Sequence, residues 1–396
     1  MEEKIFIKDY ILPLDNLYKY ISLILTSSKN SDVGKNKVIK KEIIGYTNFG
    51  YPIYSIQIGQ GKNDVILMGG THGCEIATVY FMLEFMVTLI KDNSIAQEIF
   101  ENYTFHIIPV LNPEGYKISS SIVYQNFKNS TVNQLEEISK MYVRAYLQDD
   151  QNSIGHVTNN KLYKKIIPSS INFIDNINLR KSVADILHSC NLKDDLLLIW
   201  SSNGVGIDPN ANSIHKFDIL QKYRRTHKYG NLRYNDIPAN RPSPIGFYGY
   251  EPLDNKCPET RAIFNYVTNL YHNNLNKKSD RKLISIFSYH STGGELYSIP
   301  SKNAKESQIL YHKELSNIYR SYTDYYIVED KLKYGFMDYF RDYLEGVFSL
   351  TVELSKVSGN PLSCFTNIEN FNKEIINNKK AIFKTLEKIN NLNYNS

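Results

Sequence analysis

Apolar positions in this chain fall into two patterns. Residues 65–68, 103–110, 196–200, 281–289 and 347–354 are nearly unbroken apolar runs of strand length. Such runs suit strands covered on both faces. Residues 76–90, 258–274, 307–325 and 371–389 repeat apolar residues at helical spacing, and shorter helical patches lie at 134–147 and 178–188. A further helix is expected at 16–25, with Asp15 as its N-cap. Residues 41–58 read as two strands around the turn Asn48-Phe49-Gly50-Tyr51-Pro52. Three polar stretches punctuate the pattern: a linker at 27–37, a long segment at 117–195 and a basic, loop-rich one at 217–250.

The 396 residues are enough for one large α/β domain or two smaller ones, and a 42% hydrophobic content supports a full core. A net charge of +5 is mild for this length and forms no basic block, so a nucleic-acid partner is not implied. Four cysteines (Cys74, Cys190, Cys257, Cys364) lie far apart with no CxxC pair. Neither a zinc knuckle nor a disulfide scaffold follows from that spacing. The start Met1-Glu2-Glu3-Lys4 lacks an apolar signal core and no run has membrane-spanning length. The expectation is a cytoplasmic protein with no membrane partner.

Candidate chemistry begins at Ile66-Leu67-Met68-Gly69-Gly70-Thr71-His72-Gly73-Cys74-Glu75. An apolar strand ends in two glycines, and a histidine then stands three residues before a glutamate at the mouth of a helix. That spacing lets an imidazole nitrogen and a carboxylate oxygen reach one Zn²⁺ ion. Two ligands do not make a site, and a core histidine beside a first-turn glutamate is the alternative. Cys74, between them, reads as a small buried filler.

Three later stretches bear on the choice: Pro258-Glu259-Thr260-Arg261-Ala262, Ile286-Phe287-Ser288-Tyr289-His290-Ser291 and Phe348-Ser349-Leu350-Thr351-Val352-Glu353-Leu354. In this order behind His72-Gly73-Cys74-Glu75, they resemble the zinc carboxypeptidase family, from about Ile43 to Leu354. The resemblance implies an α/β fold with a mixed, mostly parallel twisted sheet flanked by helices. Residues 41–396 would form that domain, after a helical lead segment at 1–40. Residues 117–195 would be an insertion, and with 217–250 would lie near the active-site rim.

The resemblance also implies a site. His72, Glu75 and His290 would hold one Zn²⁺ ion, and 215 residues separate the last two. Glu353 would be the general base that takes a proton from a zinc-activated water. Asp208 would hydrogen-bond His72 from behind. Leu111-Asn112-Pro113-Glu114-Gly115-Tyr116 resembles the family's Asn-Pro-Asp-Gly loop. Gly206-Ile207-Asp208-Pro209-Asn210-Ala211-Asn212-Ser213 is similar to the signature Gly-Val-Asp-Leu-Asn-Arg-Asn-Phe. Asn210 then falls on the substrate-binding asparagine, but Ala211 replaces the arginine that grips a terminal carboxylate. Arg224, Arg225, Arg233 and Arg241 are nearby cations. Tyr334-Gly335-Phe336-Met337-Asp338-Tyr339 resembles the family's Gly-x-x-Asp-Trp turn, with Tyr334 or Tyr326 as the substrate-facing tyrosine.

The function so implied is zinc-dependent hydrolysis of peptide bonds. Bacterial members without secretion signals often cut γ-D-glutamyl–diaminopimelate peptides, and Ala211 agrees with an unusual substrate. An N-acyl amino acid deacylase and a zinc-binding protein without peptidase activity are the alternatives. A peptide is the expected partner; the oligomeric state has no signature in the sequence.

Overall fold

Among the described residues, eight strands join into one open sheet in the order β1-β2-β4-β3-β5-β8-β6-β7. They are seen in a computed structural model of the chain. It describes residues 11–29, 39–91, 97–152, 166–215, 217–218, 240–276, 280–302, 304–329, 335–356 and 361–393. The elements run α1 (Leu14–Lys29), β1 (Ile39–Tyr46), β2 (Pro52–Gly59), β3 (Asn63–Met68), α2 (Ile76–Lys91), α3 (Gln97–Asn102), β4 (Tyr103–Ile108), α4 (Pro113–Phe127) and α5 (Val132–Asn152). Then come α6 (Ile177–Ser189), α7 (Pro258–Leu275), β5 (Lys282–Ser291), β6 (Glu295–Tyr297), α8 (Glu306–Thr323), β7 (Tyr326–Ile327), α9 (Phe336–Tyr343), β8 (Phe348–Leu354) and α10 (Ile368–Asn393).

The four middle strands, β4, β3, β5 and β8, are mutually parallel, while β2 and β6 join them antiparallel. Their apolar runs are explained by burial on two sides. Val65, Leu67, Phe287, Tyr289, Leu350 and Val352 face a core shared with α1, α2, α8 and α10. Their alternates Ile66, Met68 and Ile286 face a second core built with α7 and α9. Alternation along a strand and a helix layer on each face turn a two-residue period into a continuous hydrophobic stretch.

Two expectations fail. Residues 196–200 are not a strand: Asp194–Ile199 is a 3₁₀ helix. Leu196, Leu197, Leu198 and Ile199 are all buried, so every side of this short element is apolar and its period is hidden. Asp15 is not an N-cap but sits inside the first turn of α1, where its carboxylate accepts from the buried Lys117 ammonium at 2.8 Å. Leu14, Leu17, Ile21, Ile24 and Leu25 of α1 bury in the main core.

Candidate metal centre

The loop carrying His72 and Glu75 leaves the C-terminal end of β3 and is pinned on all sides. Gly70 takes φ +59°, and its N–H donates to Thr78 Oγ1 at 2.8 Å. Gly73 packs so closely on Gly115 that a methyl group there would overlap the Gly115 backbone. Asn112 is the knot. Its Oδ1 accepts from Gly115 N–H (2.9 Å) and caps α4, while its amide donates to Thr71 O (3.3 Å) and Ser202 O (3.0 Å). The Asn-Pro-Glu-Gly segment therefore does more than turn the chain: it ties the His72 loop to the loop at 201–202.

β3 and β5 are neighbours, so His290 at the end of β5 arrives beside that loop. His72 Nδ1 lies 2.8 Å from Glu75 Oε1, and His290 Nδ1 lies 3.1 Å from Glu75 Oε2. The two imidazoles meet edge to face at 4.9 Å. One donor atom from each of His72, Glu75 and His290 lies within 4.8 Å of the others. The second contact is not aligned as a hydrogen bond: Glu75 Oε2 and His290 Nε2 are buried with no hydrogen-bond partner among the described residues. Buried polar atoms are normally matched, and an unmatched carboxylate oxygen 3.1 Å from an imidazole nitrogen is what a bound cation would cover. Two nitrogens and a carboxylate are a zinc donor set.

The electrostatics match. Burial pushes the Glu75 carboxyl up, but the His72 and His290 imidazoles outweigh it and hold it down at about 2. Burial lowers His72, yet the Glu75 and Asp208 carboxylates raise it well above its ordinary value. Asp208 Oδ1 lies 3.2 Å from His72 Nε2 and accepts from the Asn210 N–H at 3.0 Å. Asp208 thus lies against the His72 imidazole, on the nitrogen away from Glu75.

Glu353 pairs in register with His290 across β5 and β8, and with Glu295 across β6 and β8. Burial in the cleft pushes its carboxyl up to about 7; the His290 charge opposes that, and Glu75 and Glu295 add to it. Glu295 escaped the sequence reading. β6 is three residues long, too short to write a strand pattern, so no local signal marks Glu295. Behind it, buried Arg341 pairs with Asp338 and donates to Tyr297 O (2.7 Å) and Ser349 O (3.2 Å), fastening β6 and β8 together.

Asn210 is half-buried, and its carbonyl accepts from Phe336 N–H at 3.1 Å. Ala211 is buried against Phe217 and Tyr248. Arg241 is exposed. Tyr334, Arg224, Arg225 and Arg233 lie outside the described residues. Tyr326 lies exposed in β7. Cys74 is buried 3.5 Å from Ser201 Oγ, and burial pushes its thiol up to about 12, so it stays protonated. The other three cysteines are also buried and free.

A sequence model described as zinc carboxypeptidase matches residues 32–360. No curated protein matches the chain. Among solved structures, thrombin-activatable fibrinolysis inhibitor superposes with a TM-score of 0.56 at 15% identity, covering 96% of this chain and 75% of that one. The bovine form, in complex with tick carboxypeptidase inhibitor, gives 0.56 at 16% identity, covering 96% and 98%. Carboxypeptidase A from Helicoverpa armigera gives 0.54 at 15% identity, covering 96% and 74%. At these identities the likeness speaks for the fold alone.

Proposed function

The chain belongs to the zinc carboxypeptidase family, and on that premise we propose that it hydrolyses peptide bonds, with one zinc ion held by His72, Glu75 and His290 and with Glu353 as general base. The observation that supports this most is the convergence of the three donors around an unmatched Glu75 oxygen, with Glu353 on the adjoining strand. Zinc, when bound there, supplies a Lewis acid for the substrate carbonyl and lowers the proton affinity of a water.

The remaining work falls to the chain's own groups. Asp208 fixes the His72 tautomer: with Nε2–H directed to the carboxylate, the Nδ1 lone pair is left for the metal. Glu353, held near 7, takes a proton and returns it to the leaving nitrogen without a large energetic step at neutral pH. Asn210 and Tyr334 bind the substrate. The apolar setting of Ala211 offers no fork for a terminal carboxylate at that position. Substrates gripped otherwise, such as murein-derived γ-D-glutamyl–diaminopimelate peptides, fit this reading. Among the described residues no helix is long and apolar enough to cross a membrane. We place the activity in the cytoplasm.

The test is zinc content together with turnover of a panel holding ordinary C-terminal peptides and γ-D-glutamyl–diaminopimelate peptides. Glu353→Gln should keep its zinc and lose about 10²–10⁴-fold in kcat. Bound zinc with no turnover of any peptide would replace the peptidase reading with that of a zinc-binding protein.

A further inference from the structure

A line of buried hydrogen bonds runs behind the two strand ends that carry His290 and Glu353. It starts on Tyr289, next to His290. Tyr289 OH and Tyr319 OH of α8 are 2.7 Å apart, and Tyr319 OH donates to Asn378 Oδ1 of α10 at 2.7 Å. Asn378 Nδ2 donates to Tyr325 OH at 3.2 Å, and Tyr325 OH donates to Glu374 Oε2 at 3.0 Å. The same oxygen accepts the backbone N–H of Ser355 at 3.0 Å. Ser355 is the first residue after β8, two beyond Glu353.

The bonds have one sense. Tyr319 spends its proton on Asn378, so it must accept from Tyr289; each later group hands its donor onward until the line ends on a carboxylate. Tyr289, Tyr319, Tyr325 and Asn378 are no more than 1% exposed, so little water competes for these bonds. Burial raises all three phenols well above their ordinary value, which keeps them as donors. Ser355 holds φ +67°, a left-handed conformation unusual for a residue with a side chain, and there its amide meets Glu374. Neighbouring residues on a strand face opposite sides, so Tyr289 reaches the helices while His290 turns to the cleft.

We propose that Tyr289, Tyr319, Asn378, Tyr325 and Glu374 are positioning residues that lock the end of β5 to the end of β8 through α8 and α10, fixing His290 and Glu353 relative to each other. This rests on the roles given above to those two residues. The device has two ends, and they should fail differently. Loosening the Tyr289 end disturbs a metal ligand. Loosening the Glu374 end disturbs the base and leaves the ligands alone.

The experiment uses the full chain with Tyr289→Phe, Tyr319→Phe, Glu374→Ala and Glu374→Gln. Zinc affinity is read by chelator competition, the ligand field by the visible spectrum after cobalt(II) substitution, and catalysis as separate kcat and KM. Tyr289→Phe and Tyr319→Phe should weaken zinc by about tenfold and shift the cobalt spectrum. Glu374→Ala should leave both unchanged and lower kcat by about tenfold or more at near-constant KM. Glu374→Gln, which keeps an acceptor oxygen, should recover most of that kcat. If all four variants lose thermal stability while zinc affinity, cobalt spectrum and kcat per loaded molecule stay put, the line of bonds is merely structural and the proposal falls. If the wild type turns over no peptide, the function reading fails by itself. The two phenylalanine variants then decide the proposal through metal affinity and spectrum, and unchanged values overturn it. Should Tyr319→Phe not fold, Tyr289→Phe removes the same bond from its other side.

Discussion

Glu114 and Glu259 put two carboxyl groups into one dry site around the Asn203–Gly204 turn; neither has any exposed surface. Burial pushes the Glu114 carboxyl up, opposed by the Thr47 side chain and by the N–H groups of Phe49 (2.7 Å) and Gly204 (2.9 Å) that donate to it. Glu259 accepts from Asn203 Nδ2 (3.0 Å), and its Oε1 is unmatched among the described residues. Burial, then the Glu114 charge, push Glu259 up to about 8. The fold therefore holds a proton that the unfolded chain releases near 4.5. Its contribution to stability is complete below that value and is lost as pH rises towards 8. Thermal melts from about pH 5 to about pH 8.5 should show wild type losing stability relative to Glu259→Gln, whose amide does not titrate. Parallel curves would mean that Glu259 is ionised throughout.

Helix α1 shows what an element contributes when it precedes the sheet in sequence. Leu17 has no exposed surface and packs in the main core, so Leu17→Ala should cost about 2–5 kcal/mol, read by denaturant unfolding. A surface-laid helix would lose far less. The same element marks where sequence reading stops. The helix itself was visible from its apolar spacing, but the role of Asp15 was not, because its partner Lys117 lies some hundred residues away on α4. The central strands were legible because burial on both faces writes an unbroken apolar run. The run at 196–200 misled for that very reason, since a buried 3₁₀ turn writes the same thing. His72, Glu75 and His290 were legible as a set only through the resemblance of their motifs, in that order along the chain, to the zinc carboxypeptidase family; the His72–Glu75 spacing alone left a core histidine open. Tyr289, Tyr319, Tyr325, Glu374 and Asn378 carry no local pattern, and only the packing of α8 on α10 makes them partners.

For the whole molecule, the three donors bridge β3 and β5 near the middle of the sheet, so an ion that binds only the folded chain should stabilise it globally. At free zinc a thousand times its Kd the gain is about 4.1 kcal/mol. Chelation should therefore lower the melting temperature of the zinc-loaded protein, and His290→Ala should melt at the same temperature with or without chelator. Equal sensitivity in both proteins would place the ion elsewhere. The order of strands has a consequence for biosynthesis. β3 is complete at Met68, but its neighbour β5 ends only at Ser291 and β8 at Leu354. A growing polypeptide thus lacks the third proposed metal donor until residue 290 is made, and the proposed base until residue 353. On the proposed chemistry, a product terminated before residue 353 is an inert fragment.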